Sequence, residues 1–216
     1  MKYIHGIYLA ACKANHPNHN IIYQDIDGKR DIDGDMLEVK IEHYDFVIAT
    51  PPCNWWSQAN PYYWRSEYAL KTRHLLPLIL IRLAKNKKPF VVECVKNLKR
   101  YKENHIFKIC QMYDITWQVV GRHIYFSNKS YDLNCPQIQD FRYGGVRVNN
   151  DGYNQGGTNV HNCIEIWLNC LEEELNNKPL GIVKEIGKIM NSNEVLNKHI
   201  DEICDLLYVE KELDND

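Results

Sequence analysis

The hydrophobic pattern of the chain predicts several short buried strands. Two apolar runs, Phe46–Ala49 and Phe90–Val95, are rich in β-branched residues and have the length of buried strands. Two prolines, Pro51 and Pro52, end the first run, because proline cannot continue a central strand. Weaker strand patterns cover residues 21–23, 115–120 and 123–126.

Helical patterns lie between and after these strands. Residues 67–84 predict a helix that is kinked or restarted at Pro77, and residues 3–14 predict a short helix. Residues 128–159 are rich in turn residues and predict an irregular excursion rather than a second folded domain. Three more helices are expected near residues 160–176, 179–190 and 193–208. Strands that alternate with helices indicate an α/β fold.

Composition narrows the classes of function. The chain has 216 residues, of which 44% are hydrophobic and 25% charged, as in an ordinary globular domain. No apolar run approaches the ~20 residues that span a bilayer, and no signal-peptide pattern is present, so we expect a cytoplasmic protein without a membrane partner. A net charge of −2 gives no global electrostatic case for nucleic acid, so any DNA-binding surface has to be local.

Metal binding is not predicted from the sequence. The eight cysteines include no CxxC pair, which indicates reduced thiols rather than a disulfide framework or a zinc site. The acidic segment 25–35 lacks the spacing of a calcium-binding loop and is typical of a solvated loop. The sequence therefore predicts no metal ligands.

A thiol and a carboxylate stand at the ends of the two clearest predicted strands. Cys53 comes just past Phe46–Ala49 on a rigid turn, and Glu93 lies near the end of Phe90–Val95. Open α/β sheets bind their ligands at the carboxyl ends of the strands, so Cys53 is a candidate nucleophile. The alternative is a small apolar residue in a turn. A buried carboxylate is costly unless it is paired or used, and two adjacent strand ends would place both groups in one crevice.

Aromatic and basic residues flank these two candidates. The loop after Cys53 is unusually aromatic, which suits either stacking on bases or a hydrophobic flap packed on the domain. The basic segment after Glu93 is either the solvated start of a helix or a phosphate contact. The candidate DNA-contacting residues are Asn54, Trp55, Trp56, Ser57, Lys96, Lys99 and Arg100, and the further aromatic residues of the loop are Tyr62, Tyr63, Trp64 and Tyr68.

Taken in order, these motifs resemble the DNA cytosine-5 methyltransferase family, specifically its short phage-type members. Residues 50–53, Thr-Pro-Pro-Cys, are similar to the family's Pro-Cys motif, and residues 92–95 to its Glu-Asn-Val motif, with Cys94 in place of the asparagine. Residues 14–18 resemble the segment after the family's second strand, 34–36 its Gly-Asp-Ile turn, 122–128 its arginine-rich strand and 166–188 its C-terminal helices.

The resemblance implies a Rossmann-like, S-adenosylmethionine-dependent methyltransferase fold with three parts. Residues 1–128 would form the catalytic core, 129–160 a short segment that recognises DNA, and 161–216 helices that complete or flank the core. The expected cofactor contacts are Asp35, Met36 and Pro51.

The resemblance also implies a mechanism. Cys53 would add to carbon 6 of a cytosine flipped out of the duplex, while Glu93 hydrogen-bonds or protonates ring nitrogen 3. A methyl group from S-adenosylmethionine would then reach carbon 5. Arg122 or His123 would contact the cytosine carbonyl.

One departure from the family pattern concerns the cofactor. The family's glycine-rich loop normally precedes the motifs above, and none is recognisable here, so we expect a fold truncated at its N-terminus, without the first strand. Either the chain then binds the cofactor with Asp35, Met36 and Pro51 alone, or a second chain supplies the missing half of a split enzyme, or the protein does not methylate. The alternative is a catalytically degenerate methyltransferase fold that acts as a DNA-binding or regulatory module.

Overall fold

The computed structural model describes residues 4–11, 14–57, 65–96, 98, 105–133 and 157–177. The helices predicted near residues 179–190 and 193–208 lie outside the described residues. So do residues 134–156, which make up most of the segment predicted to recognise DNA.

Within the described ranges the chain forms a single sheet of seven strands. They are β1 (Gly6–Leu9), β2 (Ile21–Asp25), β3 (Ile32–Asp33), β4 (Phe46–Ala49), β5 (Phe90–Val95), β6 (Thr116–Val120) and β7 (His123–Ser127). Their order is β3-β2-β1-β4-β5-β7-β6. Strands β1 to β5 are parallel, and β7 is antiparallel to both β5 and β6. The strand order reverses between β1 and β4, and such a switch point opens a crevice at the carboxyl ends of the strands.

Four helices accompany the sheet in the same ranges. They are α1 (Glu67–Thr72), α2 (Leu75–Asn86), α3 (His105–Met112) and α4 (Gly157–Asn177). The predicted helix over residues 67–84 is therefore restarted, at Leu75. Pro77 lies in the first turn of α2, where backbone N–H groups have no acceptor within the helix, so the proline removes no helical hydrogen bond. None of these described helices is both long and apolar enough to span a membrane.

Helix α4 packs on the sheet, and the helix predicted near residues 160–176 is confirmed. Its apolar positions recur every three or four residues and form one buried face. Trp167 is fully buried against Phe46 of β4, with 6.1 Å between the ring centroids. The indole Nε1 of Trp167 donates a hydrogen bond of 3.1 Å to Oγ of Ser127 on β7. The helix is therefore part of the same hydrophobic core as the central strands.

The predictions for the N-terminal region are wrong in three respects. Residues 6–9, inside the predicted helix 3–14, form β1, which lies between β2 and β4 in the middle of the sheet. All four residues are buried, and a run this short that is buried on both sides does not reveal its period. The expected loss of the first strand is therefore also wrong. Residues 14–18 precede β2 rather than follow it.

The tight contact between Gly6 and Phe46 gives a test of the packing at β1. A methyl group at Gly6 would lie 2.1 Å from ring atoms of Phe46, which is held against Trp167. Gly6→Ala is therefore expected to lower the free energy of unfolding by about 1–3 kcal/mol, because the overpacked core has to shift. Urea denaturation measures this change.

The double variant Gly6→Ala/Phe46→Leu is the matched control for this prediction. Leucine lacks the ring that the new methyl group would strike, so the double variant is expected to lose less stability than the sum of the two single variants. If the losses of the two single variants simply add up in the double variant, the contact between residue 6 and the Phe46 ring is not the cause of the lost stability.

Candidate active site

The carboxyl ends of β1 and β4 are tied together by Thr50, the first residue after β4. Its N–H donates to the carbonyl of Leu9 at 3.1 Å, and its Oγ1 donates to the carbonyl of Ala10 at 2.7 Å. Ala10 has a φ of 51°, in the left-handed region that favours glycine. The turn that leads to Cys53 therefore starts from a fixed point at the end of the central strand.

Cys53 lies at the end of this turn, as predicted, and carries a protonated thiol at neutral pH. Pro51 is buried, Cys53 is half-buried, and the carbonyl of Cys53 accepts a 3.0 Å hydrogen bond from the N–H of Trp56. Burial, and then the negative charge of Glu93, raise the pKa of Cys53 to about 11. The Glu93 carboxylate therefore lies close enough to Cys53 to disfavour its thiolate.

Glu93 and His123 form a pair on adjacent strands. Glu93 stands opposite Tyr125 in the β5–β7 register, and His123 is two residues from Tyr125 on the same face of the sheet. Nδ1 of His123 lies 2.5 Å from Oε1 of Glu93, a hydrogen-bond contact that orients the carboxylate. The Glu93 and His123 side chains are only 13% and 18% exposed, so this orientation is held away from bulk solvent.

Arg122, the fourth predicted catalytic residue, is exposed on the turn between β6 and β7. Its carbonyl accepts a 2.9 Å hydrogen bond from the N–H of Lys96, which places the end of β5 beside this turn. The structure therefore brings Cys53, Glu93 and His123 together and places Arg122 at the rim, next to His123 in the chain.

The three predicted cofactor residues follow the carboxyl ends of two strands, β3 and β4, at the same edge of the sheet. Asp35 is exposed after β3, where its Oδ1 accepts a 2.8 Å hydrogen bond from the N–H of Leu37. Met36 is buried, and its carbonyl accepts a 2.7 Å hydrogen bond from Nη1 of Arg82 on α2. Pro51 follows β4, three strands away, or roughly 14 Å at the usual strand spacing. Such a distance suits an elongated ligand that lies across the strand ends.

Strand β2 lies between β3 and β4 in the sheet and carries two residues, Gln24 and Asp25, that were not predicted from the sequence. Gln24 is buried, its Oε1 accepts from the N–H of Ala10 at 3.0 Å, and its Nε2 donates to the carbonyl of Gly34 at 2.6 Å. It thereby joins the ends of β1 and β3. Asp25 is the half-buried last residue of β2. The sequence does offer one signal for Asp25, which is an acidic residue at the end of the second strand. In dinucleotide-binding sheets such a carboxylate binds the ribose hydroxyls.

The loop predicted to contact DNA is described only in part. Trp55, Trp56 and Ser57 are half-buried, Asn54 is exposed, and the guanidinium of Arg73 lies 5.6 Å from the centroid of the Trp55 ring. This contact with the α1–α2 connection was not predicted and packs Trp55 on the domain. Lys96 is exposed after β5. The predicted contacts Lys99 and Arg100, together with Tyr62, Tyr63 and Trp64, lie outside the described residues.

Comparison with known proteins gives one family, and 22 chains of solved structures also match. A model of the C-5 cytosine-specific DNA methylase family matches residues 7–119, a range that contains both Cys53 and Glu93. One of the matching solved structures is that of the Entamoeba histolytica methyltransferase EhMeth, with a TM-score of 0.39 and 15% identity over 59% of this chain and 53% of that chain. The match thus spans about half the length of that protein. A search of curated protein sequences found no match.

The raised pKa of Cys53 predicts how its reactivity depends on pH. With a pKa of about 11, the thiolate fraction, and with it the rate of alkylation by iodoacetamide, should rise about tenfold per pH unit between about pH 7 and about pH 10. Peptide mass spectrometry of the native protein after timed alkylation measures this rate. A plateau already near pH 9 would contradict the prediction.

A pair of variants isolates the electrostatic part of this effect. Glu93→Gln removes a negative charge that raises the pKa of Cys53, so the rise in alkylation should move to lower pH. Glu173→Gln is the matched control, because the Glu173 carboxylate acts on Cys170 instead. The pH profile of Cys53 should be the same in that control as in the unaltered protein.

Proposed function

Because the chain belongs to the C-5 cytosine-specific DNA methylase family, we propose that it transfers a methyl group from S-adenosylmethionine to carbon 5 of cytosine in DNA. The observation that carries this proposal is the arrangement of Cys53, Glu93 and His123 at adjacent strand ends. A thiol beside an oriented carboxylate is what addition to a pyrimidine ring requires, since one group attacks carbon 6 and the other handles the proton at nitrogen 3.

In the first step, the sulfur of Cys53 forms a bond to carbon 6 while the electrons of the 5,6 double bond shift into the ring. A pKa of about 11 leaves roughly one thiol in ten thousand ionised at pH 7, so the thiol has to lose its proton as the base binds. We propose that the Glu93 carboxylate accepts this proton from the thiol and passes it to ring nitrogen 3. His123 holds Glu93 in position for both transfers.

The bound S-adenosylmethionine would supply an electrophilic methyl group to carbon 5. A water molecule would then take the proton from carbon 5, and the electrons of that bond restore the double bond and expel the sulfur of Cys53 as a thiolate. This thiolate regains the nitrogen 3 proton through Glu93. Of Arg122 and His123, the two candidates from the sequence, we propose that the exposed Arg122 contacts the cytosine carbonyl.

The residues at the strand ends fit the chemistry of this cofactor. The half-buried carboxylate of Asp25 can accept hydrogen bonds from ribose hydroxyls, and Asp35 and Met36 offer a polar and an apolar contact for the base. Ala10 takes the backbone geometry that a glycine would otherwise provide. We propose that the chain binds the cofactor with these residues and with Pro51, and the presence of β1 in the sheet supports this proposal over a split enzyme.

The target cytosine has to leave the duplex, which costs a few kcal/mol of unstacking. We propose that the loop with Trp55 and Trp56 closes over the flipped base and that the exposed Lys96 contacts a phosphate. Residues 129–160 remain the proposed segment for recognising the DNA sequence.

The proposed nucleophile is tested by Cys53→Ser. Transfer of labelled methyl from S-adenosylmethionine to cytosine-containing DNA is expected to fall by at least about a thousandfold, because serine is a far weaker nucleophile at neutral pH. Cys170→Ser, at another half-buried thiol, is the matched control and should keep full activity. Equal activity of the two variants would remove Cys53 from the mechanism and favour the alternative of a non-catalytic DNA-binding module.

The proposed ribose contact is tested by Asp25→Asn. Calorimetric titration with S-adenosylmethionine should show an affinity about tenfold lower or worse, since an amide accepts hydrogen bonds less strongly than a carboxylate. Asp27→Asn, an exposed acidic residue two positions later, is expected to leave the affinity unchanged. Equal losses in both variants would indicate a general electrostatic effect rather than a specific contact.

A further inference from the structure

A cluster of imidazoles and carboxylates, which the proposed reaction does not use, joins α4 to the loop before β2. His161 and Glu165 are four residues apart on α4 and so share one face of the helix. His16, from the loop, is only 1% exposed, and its ring stacks on that of His161 with 4.4 Å between centroids. Nδ1 of His16 lies 2.7 Å from Oε2 of Glu165.

The spacing of this cluster is close to that of a metal site. One ligand atom from each of His16, His161 and Glu165 lies within 4.8 Å of the other two. Ligand bonds of about 2.0–2.2 Å at a tetrahedral ion separate the ligand atoms by roughly 3.4 Å, so small side-chain movements would close the site. Two imidazole nitrogens and one carboxylate oxygen form a known donor set of zinc sites with an open fourth position, and imidazole disfavours calcium and magnesium.

Neighbouring groups form hydrogen bonds with these residues, as the outer-shell residues of a metal site do with its ligands. Nε2 of His19 lies 3.0 Å from Oε1 of Glu165, and its Nδ1 lies 2.8 Å from Oε1 of Glu172. The backbone N–H of His16 donates a 2.6 Å hydrogen bond to the hydroxyl of Tyr23 on β2. Such contacts orient ligands and contribute to metal affinity.

We propose that His16, His161 and Glu165 bind one divalent transition-metal ion of the zinc class. The ion links α4 to the loop between β1 and β2. It thereby holds this loop, which begins at Ala10, against the helix that packs on the sheet. Its role is structural, and it is independent of whether the chain transfers a methyl group.

The test uses the full chain without a polyhistidine tag, stripped with a chelator. Titration with Zn²⁺ by calorimetry is expected to show one ion per chain and a raised Tm, because an ion that binds only the folded state stabilises it. Titration with Co²⁺ is expected to give visible absorption bands without a thiolate charge-transfer band in the near ultraviolet. His161→Ala should lower the affinity for both ions about tenfold or more.

His43→Ala is the matched control, because His43 is another exposed histidine outside the cluster. It should bind both ions as the unaltered protein does. Glu165→Gln gives a second measurement in case His161→Ala does not fold, and it should also lose the ion. Absence of stoichiometric binding at micromolar concentration, equal affinity of the cluster variants and the control, or a thiolate band would each overturn the proposal.

Discussion

The site depends on the hydrogen bonds that tie the ends of β1, β2 and β4 together. Ala10, in left-handed geometry, donates to the buried amide of Gln24 and accepts from the hydroxyl of Thr50. Each bond contributes only about 1 kcal/mol net, but losing one partner leaves a buried polar group unpaired at a larger cost. Because both the proposed cofactor edge and the turn to Cys53 start here, this junction sets their relative position.

The electrostatics of the crevice keep the Cys53 thiol protonated at neutral pH. Burial and the charge of Glu93 both disfavour the Cys53 thiolate, while His123 fixes the carboxylate that raises the thiol pKa. A protonated thiol resists oxidation and alkylation, which protects it in the unbound protein. In the proposed mechanism the same carboxylate takes up the thiol proton, so one residue both suppresses the nucleophile and activates it when the base arrives.

Helix α4 connects distant parts of the sequence to the central sheet. Its apolar face buries Trp167 against β4 and β7, and its polar face carries the carboxylates that meet His16 and His19. A helix with one apolar face needs a partner surface of matching shape, and the sheet supplies it. The loop before β2 is thereby held from outside by side chains more than a hundred residues later in the chain.

The sequence by itself determined the α/β class and five of the seven described strands, because buried strands leave local signals in apolar runs and in the prolines that end them. It also located Cys53 and Glu93 at the ends of two of these strands. It did not determine β1, whose run is too short to show a period. Only the tertiary structure brought His123 to Glu93, Arg73 to Trp55 and the histidines of the loop to α4. Those contacts join residues far apart in the chain, and no local pattern encodes a pairing that depends on strand order and helix packing.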